Sequence, residues 1–190
     1  MINQGPNKKG RLSSSKIVEA ARASIETHGA SGFSIRTLAS VLEVSPMALY
    51  RHTGDRSRLL GLVVDLVLSD PVTSLEANQE EISFQTLARS YGALVMLNPQ
   101  VFIAYIGDQN AKSAEAERLS DRMVAILIEE GQNARDARIM RDIVVDHAHG
   151  YLLATTAHKN QAAVDDLFEG YDLASGFLIT RLTQAPLNDR

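Results

Sequence analysis

The stretch SIRTLASVLEVSPMALYRHTGDRSRLL, Ser34 to Leu60, constrains the fold of this chain more than any other. It reads as two short helices joined by a tight turn and followed by the start of a longer helix. Ser34 is a suitable N-cap, because its hydroxyl can accept from an orphan N–H of the first turn. Phe33 before the cap and Leu38 in the helix are spaced to close a hydrophobic staple. The arrangement repeats at Ser45, with Pro46 at the first helical position and Val44 and Leu49 as the second staple. Leu38, Ala39, Leu42, Val44 and Leu49 are expected to point inward, and small Ala39 allows the two helices to approach closely. Two short capped helices around a turn of three or four residues make a helix-turn-helix, whose second helix is shaped to enter a DNA major groove.

The second helix carries residue types that a reading helix needs. Ser45, Pro46, Met47, Tyr50, Arg51 and His52 cluster on its outward and C-terminal sides. Short apolar groups can touch thymine methyls, and Tyr, His and Arg can donate to phosphates or base edges. The competing reading is a helical hairpin in an ordinary all-α core, with Tyr50 and His52 as half-buried packing residues. Two staples, a small residue at the crossing and a polar aromatic end together favour the DNA-reading alternative.

From Leu12 to about Leu68 the chain resembles the DNA-binding domain of the tetracycline-repressor-like (TetR) family of transcription regulators. The resemblance is carried by GFSIR at Gly32 to Arg36 and LYRH at Leu49 to His52, and it covers roughly a third of the chain. It implies that Ser34, Arg36, Ser45, Pro46, Met47, Tyr50, His52 and Arg56 occupy DNA-contacting positions. Arg36 is then the base reader, and Tyr50, His52 and Arg56 are phosphate contacts. One position departs from the family pattern: Glu43 stands in the turn where the family usually has Gly. A positive φ is expected there, which is uncommon for a residue with a Cβ.

Length and composition agree with a soluble globular protein. At 190 residues the chain is long enough for one or two small domains with a sizeable core, and 45% hydrophobic with 22% charged residues is an ordinary balance. The absence of cysteine excludes disulfides and thiolate metal sites. MINQGPNKKGR lacks the apolar core of a signal peptide and no long apolar run follows, so the expectation is a cytoplasmic protein with no membrane partner. The TetR resemblance implies a bacterial one, on the nucleoid when bound to DNA. The net charge of −4 is unevenly divided: residues 1–60 hold nine basic and four acidic side chains, net +5, leaving −9 for the remainder. That asymmetry suits an N-terminal part that meets a polyanion and an acidic part that does not.

In chain order, residues 1–11 read as a disordered basic arm, 12–70 as the DNA-binding domain and 71–190 as a helical ligand-binding and dimerisation domain. The first helix starts at Leu12–Ser13 with Ile17 completing a third staple, and Gly29 ends it. Asp55 is placed to cap a helix from Arg56 to about Ser69, whose apolar residues cover most of its circumference and so need cover on more than one side. Asp70-Pro71 marks the expected domain boundary, with a partly helical linker to Glu81. Further helices are expected at Ile82–Leu97, Pro99–Gly107, Ala114–Glu130, Ala134–His158 and Ala163–Thr183, giving an all-α fold with a fourth helix linking the two domains.

The TetR resemblance implies an all-helical C-terminal domain that dimerises and holds an inducer pocket. Phe168 to Leu173, FEGYDL, is similar to the start of that family's last helix, and Ala134–His158 with Ala163–Thr183 would form a four-helix interface between subunits. Pocket candidates are Tyr91, Met96, Phe102, Tyr105, Met123, Met140, His147 and Tyr151, large or adaptable side chains of the kind that line apolar pockets. Asp142, Asp146 and His149 share a helix face, but a solvated or dimer-facing stripe is the preferred reading over a metal site. His147 and His149, two apart, point away from each other. No cofactor is expected beyond an unidentified small-molecule inducer. The leading expectation is a homodimeric, sequence-specific repressor released from a palindromic operator in double-stranded DNA. Weighed against it are an architectural DNA binder without ligand response and a helical enzyme. The acidic remainder speaks against the first, and the lack of a convergent nucleophile and base against the second.

Overall fold

The computed structural model describes residues 12–77, 82–157 and 161–184, with side chains at 12–69, 82–154 and 169–184. Among them are nine helices and no strand: α1 Ser14–Gly32, α2 Ile35–Val41, α3 Pro46–Thr53, α4 Arg56–Ala77, α5 Phe84–Leu97, α6 Pro99–Ile106, α7 Ala114–Glu129, α8 Ala134–Ala157 and α9 Gln161–Gln184. The fold is all-α. No described helix is long and apolar enough to cross a membrane.

Serine sets most of the helix starts. Ser13, Ser34, Ser45, Ser83 and Ser113 each accept a hydrogen bond from the backbone N–H three residues on, which satisfies one of the orphan donors of the first turn. The three N-terminal staples form as expected: Ile17, Leu38 and Leu49 are fully buried and Phe33 nearly so, with Leu12 and Val44 packed beside them. Gly29 breaks α1 at φ 77°, and helical geometry resumes up to Gly32. Gln100 Oε1 accepts from Ala30 N at 3.0 Å directly after that break, and Glu26 Oε1 accepts from Val101 N at 3.3 Å. The end of α1 is thereby tied to the start of α6.

Helix α4 is the central strut. Leu59, Leu60, Val63, Val64, Val67 and Leu68 are buried, and α4 packs against α1 and α6 on one side and α7 on another. The cover on more than one side is what its all-round apolar surface requires. Contrary to the expected end near Ser69, α4 runs through Pro71 to Ala77. A proline inside a helix removes one hydrogen bond and can bend the helix without ending it. The arm at 1–11, the last part of the expected linker at 78–81, His158 and the break at Lys159-Asn160 lie outside the described residues. The FEGYDL segment falls in the middle of α9 rather than at its start.

The C-terminal helices wrap a continuous core. Met140, Val144, Ala148 and Leu152 form the buried stripe of α8, four residues apart as one helix face demands. At the α5–α9 crossing, a Cβ on Gly92 would lie 2.0 Å from the Tyr171 hydroxyl, so only glycine permits this approach.

Candidate nucleic-acid interface and ligand cavity

The turn between α2 and α3 is held by backbone bonds: Glu43 N donates to Ser40 O at 3.2 Å and Val44 N to Ala39 O at 3.0 Å. Glu43 adopts φ 53°, the left-handed conformation expected of the residue at this position. Ala39 and Leu49 are buried where α2 and α3 meet, which leaves the outer face of α3 free. Met47 is 65% and Tyr50 46% exposed, and Ser45, Pro46, Arg51, His52 and, from α2, Arg36 are exposed with them. Ser34 is half-buried, its hydroxyl accepting from Thr37 N at 3.1 Å and meeting Thr37 Oγ1 at 2.8 Å. Arg56 is also half-buried: its guanidinium lies 5.7 Å from the Phe33 ring centre, and Nη1 donates to Asp108 Oδ2 at 2.9 Å. Thr53 is buried and donates to Leu49 O at 3.0 Å, securing the end of α3. The sequence reading missed it, since a lone Thr after LYRH carries no signal of burial.

The second site is a cavity of about 370 Å³ between α5, α6, α7 and α8. Tyr91 and Tyr105 form one wall. Ala116, Leu119, Ser120 and Met123 come from α7, and Arg141, Asp142, Val145 and His149 from α8. Inside it, the Tyr91 hydroxyl and His149 Nε2 are 2.8 Å apart. Arg141 Nε donates to Asp142 Oδ1 at 2.7 Å, and Arg141 Nη1 donates to Ser120 Oγ. The charge of the arginine is thus matched within the wall. Burial pushes the His149 imidazole below its ordinary range, against the opposing pull of Asp146, so the ring is neutral at pH 7. Burial, and to a smaller degree the nearby Tyr105 and Tyr171, raise the Tyr91 phenol, which stays protonated.

Of the pocket residues expected from sequence, Tyr91, Tyr105 and Met123 line this cavity. Phe102 stands behind the wall, edge-on to Tyr91 with ring centres 6.1 Å apart. Met140 is buried in the α8 core stripe. His147 and Tyr151 gather instead around Tyr171 of α9, at 5.5 and 5.4 Å between ring centres. Met96 is buried on α5. His147 and His149 do point apart. Asp142 and His149 both reach the cavity, but no group of described residues forms a metal-binding cluster. The lining residues missed from sequence are Ala116, Leu119 and Ser120 on α7 and Arg141 and Val145 on α8, while Asp142 and His149 were singled out only as a polar stripe; all follow helical spacing. That period is shared by every amphipathic helix, so it cannot single out a cavity.

No family model matches the chain, and no curated protein is a significant match. Solved structures do match over nearly the whole chain. A TetR variant of Acinetobacter baumannii in complex with minocycline is 17% identical with a TM-score of 0.73, covering 92% of this chain and 98% of that one. BioQ of Mycobacterium smegmatis is 19% identical with a TM-score of 0.72, covering 92% and 99%. ActR of Streptomyces coelicolor in complex with actinorhodin is 16% identical with a TM-score of 0.71, covering 94% and 100%. With its capped helix-turn-helix joined by a long strut to a helical domain that carries a cavity, the chain has the fold of the TetR-family regulators.

Proposed function

We propose that this chain is a non-enzymatic transcription regulator, a homodimeric repressor that binds a palindromic operator and is released by a small-molecule inducer. The observation that carries the reading is the exposed face of α3, where Met47, Tyr50 and His52 stand beside Arg36 and Arg51 on a rigidly capped helix pair. A surface of this composition supplies base-edge and phosphate contacts together. Residues 12–70 form the DNA-binding domain in this reading, with Ser34, Arg36, Ser45, Pro46, Met47, Tyr50, His52 and Arg56 at the interface, and 71–190 the effector and dimerisation domain. Exposed Leu173 and Phe177 lie four apart on α9, and Leu153 is exposed on α8. Such a stripe supports pairing of two copies through these helices, which sets two reading heads on one DNA face.

The cavity supports a small-molecule effector, as do neighbours of the same fold that hold minocycline and actinorhodin. Its size is at the lower end for small-molecule sites, and its one arginine is already paired. The effector that fits is a compact, uncharged ring compound with one hydroxyl or carbonyl for the Tyr91–His149 pair.

The test is selection of the purified protein against a random duplex library at physiological salt, with the mass of the complex measured in solution. A palindromic site bound by two copies at about 10⁻⁸ to 10⁻¹¹ M supports the reading. Only salt-sensitive binding without sequence preference would reject it.

A further inference from the structure

Three ties join one ridge of α4 to the connection between α6 and α7. At the start of α4, Asp108 accepts from Arg56 Nη1 at 2.9 Å and from Ser57 Oγ, which is 3.0 Å from both carboxylate oxygens. One turn on, Gly61 faces the backbone of Lys112 so closely that a Cβ would lie 1.8 Å from the carbonyl oxygen. After another turn, Asp65 Oδ1 accepts from Ser113 Oγ at 2.6 Å and from Glu115 N at 3.0 Å. Positions 57, 61 and 65 are four apart and share one helix face. The connection they hold is flanked by Tyr105 and Ala116, which both line the cavity.

The Asp108 carboxylate is only 14% exposed and sits at the first turn of α4 between a guanidinium and a hydroxyl. Both donors, a guanidinium and an O–H, are of the kind that bind a phosphate, and Asn110 N adds a backbone N–H to Asp108 Oδ1 at 3.1 Å. Arg56 also differs from the arginines around it. Arg36, Arg51 and Arg58 are exposed and form no ion pair among the described residues, whereas Arg56 is engaged by a carboxylate from the C-terminal half. Its side chain is still 38% exposed, and Nη1 is its one atom bonded to Asp108.

We infer that Asp108 is an internal stand-in for a DNA phosphate: it holds Arg56 in the free protein, and on DNA Arg56 exchanges it for a backbone phosphate, loosening the 107–113 connection from α4. The inference rests on the DNA-binding reading above and adds to it a competition between two anions for one arginine. Because coupling between sites is reciprocal, an occupant of the cavity that presses the connection onto α4 strengthens the hold on Arg56 and weakens DNA binding.

The test titrates a fluorescent duplex, carrying the site recovered by selection, with wild type, Asp108→Asn, Arg56→Ala and the double variant over a series of salt concentrations. Asp108→Asn keeps the size of the side chain and an acceptor for Ser57 while removing the competing charge. The expected result is affinity about two- to fivefold tighter than wild type, the range of a partly exposed ion pair, with no such gain in the Arg56→Ala background. Arg56→Ala should also lower the slope of log affinity against log salt by about 1, the signature of one lost phosphate contact. Equal or weaker binding by a folded Asp108→Asn, or an unchanged salt slope in Arg56→Ala, would overturn the inference. The slope decides alone if Asp108→Asn fails to fold. Absence of wild-type binding to any duplex would instead sink the DNA-binding reading, and this inference with it.

Discussion

On the outer face of α3 the polar and aromatic side chains stand in solvent, whereas between α5 and α8 they are paired with one another. Tyr50 and His52 are exposed, while Tyr91 is bonded to His149 and Arg141 to Asp142 and Ser120. The head presents a surface whose side chains are open to partners from outside. In the cavity, a ligand must replace or extend bonds that already exist, so its fit decides whether it binds at all. In the proposed reading, the first arrangement suits contact with a duplex and the second suits selection among small molecules.

The largest expected effect lies on the seam between these regions. Gly61→Val places side-chain atoms into the Lys112 backbone and should destabilise by about 3 kcal/mol or more, because neither partner is a flexible side-chain end. Urea unfolding measures this, and a near-wild-type midpoint would mean that the head and the connection are not rigidly joined. Next is Arg36→Ala, expected to weaken operator binding by about 1–3 kcal/mol and to relax base preference at one position. Equal discrimination by the variant would remove Arg36 from the reading surface.

A smaller effect is pH-dependent. Loss of hydration raises the Asp108 carboxyl, but bonds from Ser57 and the Asn110 backbone and the charge of Arg56 outweigh it, so the net shift is downward. A depressed carboxyl adds stability that is fully present above the ordinary aspartate value of about 4 and fades as pH falls through the lowered one. The difference in melting temperature between wild type and Asp108→Asn should therefore be constant from pH 7 to 5 and shrink in acid below about 4. A difference that grew in acid would contradict the assignment. Smallest of all, Gly150→Ala on α8 meets no atom within 4 Å of the new Cβ. It should stabilise by up to about 1 kcal/mol through helix propensity alone. Destabilisation on thermal melting would show that a second copy packs closely at Gly150.

The head was legible because its information is local. Ser34, Ser45, Phe33 and Val44 act on residues three to five positions away, and the left-handed turn at Glu43 follows from the same short stretch. Helix limits in the C-terminal half were legible for a similar reason, with Asn98-Pro99, Gly107-Asp108 and Gly131 all at breaks. The end of α4 was not, because one proline does not outweigh the cooperativity of a 22-residue helix. The cavity was only partly legible: Tyr91, Tyr105 and Met123 were found, while Phe102, Met140, His147 and Tyr151 have the same residue character but face other neighbours.

Sequence alone determined the all-α class, the capped helix pair and the division of charge, since capping, periodicity and composition act within a few residues. Tertiary structure decided which of several equivalent aromatic and polar side chains meet. Asp108 and Arg56 are 52 positions apart and Tyr91 and His149 are 58 apart. No pattern along the chain encodes those pairings, because they arise from how α4 through α8 cross in space.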